Sequence, residues 1–369
     1  MRVVSRLALR RWALVAAGTA LLCALPALVA AWPVPASALS AAQLRTRMMA
    51  SGHVSYQGYA ESVVNLDLPS LPDLGNVISL LDGTTDQYAW YRSPGEWRAD
   101  QLTAAGENDI YQTARGTYLW DYGGNLLTQV VGSQPVRLPR AADLLPPALA
   151  RRLLAFAGRA DRMSRLPSQR VAGIAAAGVR IVPSGSSTTI AAVDIWADPA
   201  TGLPVQVEVF SRGSGAPALV TRFLDLRQTM PALADVEPDP AAGVNLSRTA
   251  LPDAAGVLNG YGPPLPAKLG GVARVASPAG LPDVAAYGSG LARFAVLPLP
   301  YRTGREALTA AASVGATIRL AGGTAVLVQT PLLTVLLAPA RYGGPVYLLT
   351  GAVTPSLLEG AGAELMDSP

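Results

Sequence analysis

The chain has 369 residues, half of them apolar, with 36 glycines and 31 prolines. That length allows about two domains with sizeable cores, and the composition excludes an intrinsically disordered chain. The formal charge of +4 sits at the N-terminus, in Arg2, Arg6, Arg10 and Arg11 with no acid before residue 39. The chain beyond residue 38 is neutral, which excludes the electrostatic footprint of a nucleic-acid binder.

Behind these arginines, Trp12 to Ala31 is an uncharged apolar run containing Pro26, and Ala36-Ser37-Ala38 forms a small-residue cleavage site. Residues 1–38 therefore read as a signal peptide or an N-terminal membrane anchor, and both place the remainder outside the cytoplasm. Cys23, the sole cysteine, lies within this run after Leu22, so the mature chain is expected to lack disulfides and thiolate chemistry.

Leu44, Met48 and Met49 have helical spacing, closed by Gly52. Strand-like runs occupy Val54–Asn65, Thr85–Arg92, Glu96–Thr103, Asp109–Ala114, Thr117–Tyr122 and Leu126–Val131, joined by turns such as Ser93-Pro94-Gly95. Turns that short connect antiparallel neighbours. Pro146 to Gly158 reads as a helix with proline in its first turn. Strands resume at Arg170–Ala172, Gly178–Val182, Thr188–Trp196, Leu203–Ser211 and Ala218–Leu226. Asp198-Pro199-Ala200-Thr201-Gly202 is a hairpin loop in which Gly202 supplies the left-handed residue. Residues 229–284 are rich in Pro, Gly and Ala and read as a linker, partly extended and partly packed on its neighbours. In 285–369, five strands (Leu291–Leu299, Ala316–Leu320, Thr324–Thr330, Leu332–Leu337, Val346–Thr350) and helices at Arg305–Ser313 and Pro355–Met366 suggest a small α+β domain.

Catalytic chemistry finds no constellation here. His53 is the only histidine, which excludes a site built from several imidazoles, and no nucleophile elbow or phosphate-binding glycine loop occurs. Asp235-Val236-Glu237-Pro238-Asp239 lacks the spacing of a calcium loop. Neither a cofactor, a metal nor enzymatic activity is expected. The basic stretch Arg151, Arg152, Arg159, Arg162 and Arg165 offers contacts for a partner protein or lipid headgroup, against the plainer role of a solvated surface.

One resemblance emerges from motif order. Arg170-Val171-Ala172-Gly173 leads to Gly178-Val179-Arg180-Ile181-Val182-Pro183, then Asp194-Ile195-Trp196-Ala197-Asp198-Pro199-Ala200-Thr201-Gly202-Leu203-Pro204 and Arg222-Phe223-Leu224-Asp225-Leu226. With Leu44, Met48 and Tyr56-Gln57-Gly58, this resembles the MucB/RseB family of sigma-E regulatory proteins, whose larger domain has the fold of the lipoprotein carriers LolA and LolB. The resemblance covers residues 41–228. It implies an α+β architecture: a strongly curved antiparallel half-barrel closed by helices, with an apolar concavity, followed by a smaller C-terminal α+β domain. It also implies two classes of partner, a lipid or acylated ligand and a membrane anti-sigma factor. The aromatic residues Tyr88, Trp90, Trp97, Tyr118, Trp120, Trp196 and Phe223 are the candidate lining for an acyl chain. Tyr88 and Trp90 share one sheet face, as do Tyr118 and Trp120. The competing role for each ring is core packing.

Overall fold

In the computed structural model of the chain, the structure describes residues 6–30, 33–66, 80–104, 106–132, 137, 139–240, 244–249, 260–277 and 281–367. Arg2 and Ala31, and residues 241–243, 250–259 and 278–280 of the expected linker, lie outside them.

The N-terminal apolar run forms one helix, α1 (Arg6–Ala30), which continues through Pro26. A proline inside a helix removes a single backbone bond and is accommodated by a bend. Trp12, Leu14, Val15 and Leu21 on α1 are exposed. Over the described side chains, no helix is long and apolar enough to cross a membrane. α2 (Ala41–Ala50) starts with a capping box, in which the Ser40 hydroxyl accepts from the Gln43 amide and the Gln43 side chain accepts from the Ser40 amide. Its buried face is Leu44 and Met48, while Met49, read with them from the sequence, is exposed.

Twelve described strands make the first sheet. They are β1 (Tyr56–Val64), β2 (Gly83–Ser93), β3 (Glu96–Thr103), β4 (Gly106–Thr113), β5 (Gly116–Asp121), β6 (Leu126–Val130), β7 (Arg162–Val171), β8 (Ile174–Val182), β9 (Ile190–Ala197), β10 (Pro204–Ser211), β11 (Pro217–Arg227) and β12 (Asn245–Thr249). Their order is β12-β6-β5-β4-β3-β2-β1-β11-β10-β9-β8-β7, so the sheet is open, with β12 and β7 as its edges. Every pairing is antiparallel except β12 with β6. α3 (Pro146–Phe156) begins with two prolines, where missing amide donors are harmless, and packs with α2 over β8 to β11. Leu44, Met48, Ala150 and Leu154 meet Val179, Ile181, Val193, Ile195, Val207 and Val209 there, and this cluster is the main core.

The eight strands of the second sheet are β13 (Lys268–Leu269), β14 (Val272–Ala276), β15 (Ala285–Ser289), β16 (Ala292–Leu299), β17 (Ala316–Leu320), β18 (Gly323–Gln329), β19 (Thr334–Pro339) and β20 (Val346–Gly351), in the order β13-β14-β15-β16-β20-β19-β18-β17. A helix covers each face. Leu336 and Ala338 of β19 pack with α5 (Pro355–Asp367), while the intervening Leu337 packs with α4 (Tyr301–Ala312). This is the period-2 alternation of a strand buried on both sides. The sheets touch where the Thr188 and Thr189 hydroxyls donate to the carbonyls of Ala352 (2.7 Å) and Leu332 (2.5 Å).

Three stretches differ from the sequence reading. Ala285–Ser289, not read as a strand, forms β15 between β14 and β16. Residues 162–169 extend β7 well before Arg170, with a register shift around Pro167. An edge strand tolerates proline and a polar, non-alternating pattern, so periodicity gave no signal. The expected linker supplies β12 to the first sheet and β13 and β14 to the second. Such short strands form by completing the unpaired backbone of an existing edge rather than through their own apolar pattern.

Candidate functional site

Opposite residues of antiparallel strands share a face, so the register assigns every side chain of β1 to β6 to one side of the sheet. One row crosses the inner face: Tyr56 opposite Tyr91, then Trp97, Gln112, Thr117 and Val130. A second inner row begins with Gly58, Ala89 and Ala99, of which Ala89 lines the space behind the first. Gly58 has no alternative, because a Cβ there would lie 2.4 Å from the Asp225 carbonyl.

The lid over this face comes from residues 137–151. Ala142, Leu145, Ala148 and Arg151 recur every third residue, from a 3-10 turn (Ala141–Leu144) into the first turns of α3, and all point at the inner row. Between floor and lid lies a partly open cavity of about 600 Å³. Drug-sized ligands occupy cavities of ~300–1,000 Å³. Tyr56 and Tyr91 stack at 5.1 Å, with Phe223 edge-on behind Tyr56 at 5.6 Å. The Tyr91 hydroxyl donates to the Gly52 carbonyl at 2.6 Å, which fixes the ring. Burial raises the pKa of both tyrosines and the charge of Arg151 opposes it, so both phenols stay protonated.

The rim is cationic. Arg137 grips Asp143 with two bonds of 2.6 and 2.7 Å, and the Arg140 amide donates to the same carboxylate. Burial raises the Asp143 pKa, but the bonds from Arg137 and Arg140 outweigh it and hold the carboxyl below its usual range. Burial, then the charge of Arg137, lowers the Arg140 pKa. Arg151 also lines the cavity, and its Nη1 is buried with no hydrogen-bond partner.

The outer face carries a different cluster. Arg98 lies 5.0 Å from the Trp90 ring and 4.9 Å from Tyr111, and bonds Asp100 at 2.5 Å, Asp109 at 3.0 Å and Glu107 at 3.5 Å. The three carboxylates converge within 4.8 Å, but the guanidinium already sits where a cation would bind. Burial, then the charge of Asp100, pushes the Asp109 carboxyl up to about 8, and burial pushes Asp100 up to about 6.

Of the rings expected to line a ligand site, Trp97 stands on the cavity floor. Trp90 borders both this cavity and a shallow outer groove that it shares with Tyr59 and Tyr88. Tyr88, Tyr118 and Trp120 follow the outer register, away from the cavity; Tyr88 sits tilted beside Trp90 at 5.9 Å, and Trp120 lies flat on Tyr122 at 4.6 Å. Trp196 covers Gly178 on the face opposite the helices and donates its indole N–H to Pro167. Phe223 is fully buried core. Among the arginines, Arg151 faces the cavity, Arg152 and Arg159 are exposed, and Arg162 and Arg165 belong to β7. The sequence reading missed Tyr56, Tyr91, Gln112, Thr117 and Val130. Ala89 is the small residue of the second row that lines the cavity, whereas Gly58 is small because the chain's own Asp225 carbonyl occupies the place of a Cβ, so small residues on a strand gave no clear signal.

Fold and site together define an open twelve-stranded sheet with an aromatic-floored cavity under the first turns of α3. No protein-family model matches the chain, and no curated protein matches it in sequence. Among solved structures, the MucA/MucB complex of Pseudomonas aeruginosa is similar, with 17% identity and a TM-score of 0.50 over 87% of this chain and 96% of that one. A second MucB structure, in complex with MucA(peri), aligns at 17% identity and a TM-score of 0.49 over 87% and 97%. A LolA superfamily protein from Nitrosomonas europaea aligns at 12% identity and a TM-score of 0.26 over 55% and 99%. The chain is structurally similar to MucB, and at this identity the likeness is one of fold.

Proposed function

We propose that this chain is a non-catalytic, exported binding protein that holds an apolar chain in the half-barrel of residues 41–228, with residues 285–369 as a second unit. The observation that supports this most is the 600 Å³ space between the Tyr56-Tyr91-Trp97 row and the Ala142-Leu145-Ala148 stripe. An acyl chain gains ~0.8 kcal/mol per buried methylene. Twelve methylenes give roughly 10 kcal/mol gross, against association costs of about 4–15 kcal/mol. Moderate affinity then needs no elaborate polar motif. Residues 1–38 deliver the protein across the membrane, as signal peptide or anchor. Native mass spectrometry of protein purified from its host tests the reading: a discrete lipid-sized mass that organic extraction removes is expected, and bare protein under gentle conditions contradicts it.

A second reading, regulation by binding a membrane anti-sigma factor, is favoured by the fold shared with a MucB solved in complex with MucA. Pull-down from host membranes with the full chain tests it, with recovery of one integral-membrane partner expected. Recovery of lipid alone argues against it.

A further inference from the structure

The face of the first sheet turned away from the cavity carries an open groove of about 190 Å³. Six side chains on three neighbouring strands line it as a grid. The register sets Asp225 of β11, Tyr59 of β1 and Tyr88 of β2 in one row, and Arg227, Gln57 and Trp90 in the next. With strands about 4.8 Å apart and same-face side chains about 7 Å apart, the grid measures roughly 10 by 7 Å. Its rings form a tilted ladder, Tyr59 to Tyr88 at 4.8 Å and Tyr88 to Trp90 at 5.9 Å. Arg98 backs Trp90 from β3. Tyr88 is 43% exposed, and none of the three rings belongs to a core cluster among the described residues. Cross-strand ring contacts stabilise a sheet, which accounts for Tyr59 beside Tyr88. They do not account for the charges next to the rings. Asp225 and Arg227 are both exposed, and neither side chain forms an ion pair or hydrogen bond among the described residues. Gln57 donates to the Thr229 hydroxyl at 3.0 Å, which holds its amide at the groove.

We propose that this outer face binds a neutral polysaccharide, its sugar rings stacked on Tyr59, Tyr88 and Trp90 and its hydroxyls shared among Asp225, Arg227 and Gln57. A pyranose presents an apolar face of C–H groups bounded by hydroxyls, and aromatic faces flanked by planar polar groups complement both parts. A carboxylate only accepts and a guanidinium only donates, so a ligand that serves both must do both, as a hydroxyl does. Proline-rich peptides also dock on aromatic ridges, but prolines lack an amide N–H and leave the carboxylate without a donor. One acid and one base at the groove cancel, which favours an uncharged polymer over a polyanion. This binding does not depend on a guest in the cavity, because the grid lies on the opposite face of the sheet.

Affinity electrophoresis of the full chain tests this, in native gels containing hydroxyethylcellulose, pullulan, galactomannan or polygalacturonate. At least one of the three neutral polymers should retard the chain, and the acidic polygalacturonate should retard it less. On that neutral polymer, Tyr88→Ala and Asp225→Asn should each raise the dissociation constant roughly tenfold, whereas Tyr88→Phe, which keeps the stacking face, should stay close to the parent. No retardation by any neutral polymer overturns the proposal. Retardation by polygalacturonate that equals or exceeds the neutral polymers overturns it too, as does retardation left unchanged by Tyr88→Ala or by Asp225→Asn. Decaproline binding that is read by tryptophan fluorescence and lost in Tyr88→Ala, with no polymer bound, assigns the groove to a peptide instead. The comparison of polymers on the unmodified chain stands even if a variant fails to fold.

Discussion

Replacing Asp109 with asparagine should stabilise the protein at pH 8 and change little at pH 5. Asp109 Oδ2 accepts from Arg98 at 3.0 Å and from the Tyr111 hydroxyl at 2.9 Å, while Oδ1 is buried without a partner. Burial and the neighbouring Asp100 hold its carboxyl at about 8, against about 3.9 in an unfolded chain. The native state therefore binds this proton more tightly than the unfolded state. The stability this carboxyl contributes is greatest below pH 4 and declines as pH rises toward 8, where the folded carboxyl must ionise in place. At about 1.4 kcal/mol per unit the full window would amount to roughly 6 kcal/mol. Because Asp100 and Asp109 share Arg98, a net effect of about 2–3 kcal/mol is the reasonable expectation. The asparagine variant keeps an oxygen for Arg98 and Tyr111 and carries no charge to bury. Urea unfolding at pH 5, 6, 7 and 8 should give midpoints that fall with pH for the parent chain and much less for the variant. Parallel pH profiles would refute the buried-carboxylate account.

The same cluster predicts the opposite outcome for its cation. Arg98→Leu leaves three converging carboxylates uncompensated and should destabilise the fold by about 3–5 kcal/mol at pH 8, with partial recovery on acidification, measured in the same urea series. Gly202 has φ of +76°, and a Cβ there would lie 2.4 Å from the Arg47 carbonyl. Gly202→Ala should therefore lower stability by about 1–3 kcal/mol, and an unchanged urea midpoint would contradict that packing.

Sequence periodicity located the main strands because they alternate or are apolar throughout, as in β9, where Val193 and Ile195 face the helices and Asp194 turns away to pair with Arg180. It could not say which face of β2 is concave. Both carry rings, Tyr91 on one and Tyr88 with Trp90 on the other. The choice is made by the lid, whose position depends on how α2 and α3 dock on β8 to β11, a long-range packing fact absent from any local window. Gly202 was legible because a turn of that length needs a left-handed residue. Arg151 was legible as part of a basic stretch, whereas its company with Tyr56, nearly a hundred residues earlier, was not.

The central claim is that the concavity is open to a guest chain, and filling it is the most direct test. Ala148 lies in the first turns of α3 and faces the cavity, so Ala148→Trp puts an indole into the space without touching the main core. Losing room for about six methylenes forfeits roughly 5 kcal/mol of gross binding energy. Titration of the unmodified chain with N-phenyl-1-naphthylamine should give saturable fluorescence, Tyr88→Ala on the outer face should bind equally well, and Ala148→Trp should lose the signal while retaining its thermal unfolding transition. Undiminished binding by folded Ala148→Trp, or an unsaturable signal from the unmodified chain, would contradict a guest-accepting half-barrel.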